Sequence, residues 1–92
     1  MRFAKRRWGW YFVILDRKMF KVKLLRFGGK RNMSLQYHRN RNELWLFLSG
    51  IRSGEWCIHP KDKLHTYNGG KAYAIEIQYG EKCEESDIVR IR

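Results

Sequence analysis

Tyr73, Ile75, Ile77 and Tyr79 alternate with Ala74, Glu76 and Gln78 in the cleanest pattern of the chain. A period of two sends successive side chains to opposite faces of an extended strand and fits no helix. Phe20, Val22 and Leu24 alternate in the same way with Lys21 and Lys23, which reads as a half-buried strand. Residues 8–15, aromatic and β-branched, read as a first strand. Residues 44–48 are an unbroken apolar run, the pattern of a strand buried on both faces. Shorter strands are expected over 34–38, 65–67 and 88–91, and short polar turns over 51–63. Gly28-Gly29-Lys30 and Asn68-Gly69-Gly70 supply turn signals, and 81–87 an acidic loop. No segment carries a helical period and none repeats, so the chain is expected to be all-β.

Ninety-two residues leave room for one domain with one small core. The expectation is a single unit over 1–92, with 1–7 a flexible basic arm. An apolar fraction of 43% and 14 aromatic residues argue for a folded chain despite the charge. No apolar run approaches membrane-spanning length and the N-terminus has no signal-peptide pattern. Cys57 and Cys83 are too few and too far apart for a disulfide framework or a zinc ribbon. They read as reduced thiols, and the expected location is cytoplasmic.

The net charge of +11 is unevenly spread. Residues 1–42 carry 13 Lys/Arg against the single acid Asp16, whereas 43–92 carry seven against eight acids. A basic first half suits a partner with phosphate groups, and equally a merely solubilising surface. Trp8 and Trp10 beside the arginine-rich arm leave room for nucleic-acid contact, but no recognised binding fold supports it.

Gln36, His38 and Glu43 can offer a metal an amide oxygen, an imidazole nitrogen and a carboxylate. Two apart, Gln36 and His38 leave the same face of an extended chain. A turn over 40–42 would bring Glu43 back to the same pocket, against the apolar wall of 44–48. His59, beside Pro60, reads as a surface residue.

These residues also carry a resemblance. Gln36, His38, Glu43 and Gly50 resemble the first cupin motif, with Gln36 in place of its first histidine. Pro60, Asp62, His65 and Asn68 resemble the second, with Asp62 in place of glycine. More specifically, the chain resembles the C-terminal cupin domain of type II mannose-6-phosphate isomerases. Its ordered blocks match at Arg6, Trp8 and Gly9; at Lys21-Val22-Lys23; at Ser34-Leu35-Gln36, His38, Arg41, Glu43 and Trp45; at Glu76, Gln78 and Gly80; and at Asp87-Ile88-Val89-Arg90. Departures are Asn40 and Leu44 for two family histidines and Arg7 for the proline. Only 14 residues separate Gly50 from His65, so a β-hairpin of the family is expected to be missing and one rim to be open. The family's tail after 87–90 is cut to Ile91-Arg92.

The resemblance implies a shortened jelly-roll barrel whose metal site is Gln36, His38, Glu43 and His65. Zinc leads among the divalent ions such ligands suit, with manganese, iron, cobalt and nickel behind it. The competing expectation is a domain that has lost its metal, with His38 and His65 at a cavity mouth. Lys21, Lys23 and Arg41 would face the pocket and hold a sugar phosphate, or else be solvated edge-strand charges. The implied activity is aldose–ketose isomerisation of a sugar phosphate, with no base named. The alternative is a non-catalytic module for a phosphorylated sugar or another anion. A homodimer through an edge strand of the N-terminal half is expected.

Overall fold

A computed structural model describes residues 2–28, 35–67, 70–81, 83 and 86–90. The expected turn and strand positions at 29–34, 68–69 and 91–92 lie outside them. Eight strands and no helix are found among the described residues: β1 (Arg2–Arg6), β2 (Gly9–Asp16), β3 (Phe20–Phe27), β4 (Gln36–Tyr37), β5 (Arg41–Phe47), β6 (Trp56–His59), β7 (Ala72–Gly80) and β8 (Val89–Arg90). Six form one antiparallel sheet in the order β1-β2-β3-β7-β5-β6, and β4 and β8 pair as a second, small sheet. Gln36 and His65 add an isolated bridge beside β4. The result is an all-β domain of two antiparallel sheets.

Three sequence expectations change here. Residues 2–6, expected as a mobile arm, form β1 and pair with β2 along their whole length. The reason is local: Phe3 reaches the ring of Trp10, 5.3 Å between centroids, and Arg2 binds Asp16 at 2.7 Å. The expected polar turns over 51–63 contain a strand, β6, which pairs with β5 through a tight connection at 50–55. Leu44 and Leu46, expected to be buried on a two-sided strand, are only half-buried, and β5 covers only its Trp45 and Phe47 side fully.

The inner face of the sheet divides along its length. On β3, Phe27 and Leu25 give way to Lys23 and Lys21; on β7, Ala72 and Ala74 give way to Glu76 and Gln78. On β5, Phe47 and Trp45 give way to Glu43 and Arg41. Antiparallel register aligns the three changes, because Trp45 and Lys23 both face Glu76 while Glu43 and Lys21 both face Gln78. One half of the interior is therefore an aromatic core, centred on Phe27 with Tyr67, Trp45 and Phe47 at 4.0, 5.4 and 6.3 Å. The other half is a buried polar cluster. The alternation in β3 thus runs opposite to the simplest reading: the lysines point inward and Val22 and Leu24 outward.

The outer face is correspondingly aliphatic. Cross-strand partners line up as two ladders, Leu15–Val22–Ile77–Leu44–Ile58 and Phe12–Leu24–Ile75–Leu46–Trp56. A bulge at Ile14 keeps Leu15 in the first of them: the register shifts between Val13 and Leu15, so Val13 enters the core while Leu15 faces out.

The turn from β1 into β2 is held by Gly9. Its φ is +151°, and a Cβ there would lie 1.7 Å from the carbonyl oxygen of Arg26 in β3. No side chain fits, and the approach sets Trp8 against Phe27 at 5.2 Å. We expect Gly9→Ala to cost at least ~3 kcal/mol in urea unfolding, because backbone must move. Gly54→Ala, at φ +87° with open space around it, should cost only ~1 kcal/mol.

Candidate metal centre

Glu43 lies at the centre of the polar half. Its Oε2 is 3.1 Å from His38 Nε2 and its Oε1 is 3.4 Å from His65 Nε2, and all three side chains are buried. One ligand atom from each of the three lies within 4.8 Å of the others. Neighbouring donors around an ion bound at ~2.1 Å in a tetrahedral shell are ~3.4 Å apart, so the two printed separations fit a shared ion. Gln36 is also buried, and its backbone exchanges hydrogen bonds of 3.0 and 2.7 Å with His65. Each of the four expected ligands is thus in the same interior, brought there by β4, β5 and the segment bridged to β4.

The donor chemistry tests the fit. His38 Nδ1 lies 2.5 Å from the backbone carbonyl of Asp87, an acceptor, so Nδ1 carries the proton and Nε2 turns a lone pair inward. Asp87 is itself held, its carboxylate accepting from the backbone amides of Arg39 and Asn40 at 3.0 and 2.8 Å. His38 Nε2 and Glu43 Oε2 are then two acceptors 3.1 Å apart, which requires a cation against them. Part of that need is met by Arg41, whose Nη2 lies 3.1 Å from Glu43 Oε2 and 3.4 Å from His38 Nε2. His65 is less well served. Neither of its buried ring nitrogens has a hydrogen-bond partner, its 3.4 Å approach to Glu43 being poorly aligned. Buried polar atoms are rarely left so, and an ion shared with Glu43 would satisfy this one. The residues fit a divalent metal.

Burial alone would raise the Glu43 carboxyl. The adjoining imidazoles of His38 and His65, with the positive charge of Arg41, outweigh it and hold the group well below the usual carboxylate range. Glu76 goes the other way. Burial, then the charge of Glu43, push its carboxyl up to about 7 against the pull of Lys23. Trp45 Nε1 and Gln78 Nε2 donate to its two oxygens at 2.8 and 2.7 Å, and Lys23 Nζ is 4.0 Å away.

The candidate phosphate-holding residues are all buried, not solvated at an edge. Lys23 and Arg41 line a cavity of about 60 Å³ together with Gln36, Glu43 and Glu76, and with Arg6 and Trp8 from the end of β1 and the turn after it. Lys21 approaches Asp16 at 3.7 Å. The cavity has room for only a few waters.

Two site residues were missed in the sequence. His59, expected at the surface, faces Glu43 across β5 and β6 and stacks on His65, 4.4 Å between ring centroids. Burial, reinforced by His65, lowers it to about 4, so it is neutral at pH 7. Its signal was present in Trp56-Cys57-Ile58-His59, where Cys57 and His59 share one face of β6. Glu76 was quoted as part of a motif block but given no role, although Ala74, Glu76 and Gln78 share a face.

The comparisons with known proteins bear on the family and the fold. A family profile described as mannose-6-phosphate isomerase C-terminal matches residues 2–92. The chain belongs to that family. Among solved structures, a protein from Planctomyces limnophilus is similar over 96% of this chain and 88% of its own, with a TM-score of 0.73 at 14% identity. At that identity the likeness speaks for the fold alone. No curated protein matches. Among the described residues, no helix is long and apolar enough to cross a membrane.

Glu76 yields a test. The unfolded chain ionises this group near 4.5 and the folded one near 7, so folding becomes less favourable as pH rises through that window and no further above it. The loss is on the order of 3 kcal/mol. His59 acts in the opposite sense between about 4 and 6.5, so the difference between proteins is the useful quantity. Gln78 Oε1 has no partner, and a flip of that amide would let it accept from a new one at position 76. We expect Glu76→Gln to match wild type near pH 4 and to be the more stable protein at pH 8, by chemical denaturation at each pH.

Proposed function

We propose that this member of the mannose-6-phosphate isomerase C-terminal family holds a divalent metal through Gln36, His38, Glu43 and His65 and interconverts an aldose and a ketose phosphate beside it. The observation behind the reading is the buried His38–Glu43–His65 set, whose Glu43 lines the cavity together with a second carboxyl, Glu76, poised near neutrality. Bound there, a metal would polarise the sugar's carbonyl and hydroxyl oxygens. Glu76 is the group suited to move a proton between C1 and C2, because a carboxyl near 7 can both accept and return one at neutral pH. Lys23 and Arg41 supply positive charge for the phosphate. The cavity of about 60 Å³ is too small for a hexose phosphate, so its walls must part to admit one.

That small cavity also favours a second reading, a module that binds an anion at Lys23 and Arg41 without turnover. Interconversion of mannose 6-phosphate and fructose 6-phosphate with added zinc or manganese separates the two. We expect slow turnover, lost by at least ~100-fold in Glu43→Gln together with bound metal. Glu76→Gln should lose turnover to a similar degree but keep its metal. Asn40→Ala should keep its metal as well, whereas His38→Ala and His65→Ala should not. Metal-loaded protein that binds either sugar phosphate and never interconverts them would leave the binding module standing.

A further inference from the structure

The outer face of the main sheet has no role in the site, and its composition is unusual for this chain. Almost a third of the residues are charged, yet neither outward ladder contains a charge. Ile58 and Trp56 at the β6 end are 62% and 60% exposed. The ladder residues of β3, β5 and β7 are half-buried. Among the described residues only β4 and β8 lie outside the main sheet, and β4 carries Gln36 to the cavity on the inner side. Beyond the ladders lie a row with Trp10, Arg26 and Tyr73 at one end and a row with Phe20, Tyr79 and Asn42 at the other.

We infer that this face is an isologous interface between two copies of the chain. Size is the first reason. At ~4.8 Å between strands and ~6.8 Å between same-face neighbours, five strands by four rows cover about 600 Å². A stable interface buries ~800 Å² per partner, and the exposed Phe3 extends the patch toward it. The second reason is in β5, whose run over 44–48 is that of a strand covered on both faces, while this chain covers one. A second sheet at ~10 Å supplies the other cover.

Charge is the third reason. Two molecules of net charge +11 repel wherever they meet, and least across the ladders. β7 is the middle of the five strands, so a twofold axis running across it between Ile75 and Ile77 lays each ladder on the partner's other ladder. It also sets the Arg26 end of one copy against the uncharged Tyr79 end of its partner. The interface is therefore a sheet face, whereas edge strand β1, with Arg2, Lys5 and Arg6, carries charges that discourage pairing.

Sedimentation equilibrium tests this on the intact chain. Wild type should be a dimer at micromolar concentration, tighter at higher salt because repulsion is screened. Ile75→Glu, which leaves the inner face untouched, should keep the wild-type far-UV dichroism and weaken dimerisation by at least ~100-fold. Phe3→Glu on β1 should weaken it much less. The unmodified protein offers a second readout: on dilution, acrylamide should quench Trp56 increasingly, a change absent in Trp56→Phe. A monomer at high micromolar concentration, with Trp56 quenching independent of concentration, overturns the inference. So does a dimer that Ile75→Glu leaves intact, since its interface would lie elsewhere.

Discussion

The interior of this domain depends on how one buried carboxylate is satisfied. Glu43 sits in a sheet of low dielectric with two imidazoles and a guanidinium against it, and that company keeps it ionised. An isolated carboxylate would be expelled or protonated in the same place. The rest of the polar half is arranged around that charge. Asp87 fixes the ring of His38 through its carbonyl, Arg41 caps one oxygen, and Glu76, two residues along β7 from the partner of Glu43, is pushed toward neutrality in response. The pair of carboxyls is thus differentiated by environment, one ionised and one near 7. Such separation is how a fold obtains a ligand and a proton carrier from one residue type.

The aromatic half of the interior supports this arrangement physically. Trp45 is its border post, ring in the core beside Phe27 and indole N–H on Glu76 at 2.8 Å. Because register aligns the apolar-to-polar change on β3, β5 and β7, a one-residue slip would bring Val22, Leu44 and Ile77 inward and turn Glu43 out. Site and core are therefore specified together. The aliphatic residues of the same strands stand on the outer face.

Much of this was legible in the sequence, and the exceptions have physical causes. Period-two patterns located β3 and β7, aromatic and β-branched content located β2, an unbroken apolar run located β5, and the spacing of Gln36, His38 and Glu43 put those three in one interior. Alternation alone does not say which phase faces in. In β3 hydrophobicity favoured Val22 and Leu24, but the neighbours opposite Lys21 and Lys23 are Gln78 and Glu76, and these decide it. His59 was missed because Pro60 suggested a loop, and pairing of β6 with β5 is a long-range fact. Part of the pocket lining, Arg6 and Trp8, comes from a segment whose charge suggested mobility and whose Phe3 instead holds it to the sheet.

The most direct test of the account is the coordination of a metal by the inward donors. Zinc added in equimolar amount to apoprotein and studied by X-ray absorption at the zinc edge should show two imidazole rings in the outer-shell scattering, with oxygen ligands completing the shell. The same spectrum from His65→Ala should lose one ring. A spectrum of hydrated zinc, or one with no imidazole signature, would contradict a metal centre at His38, Glu43 and His65.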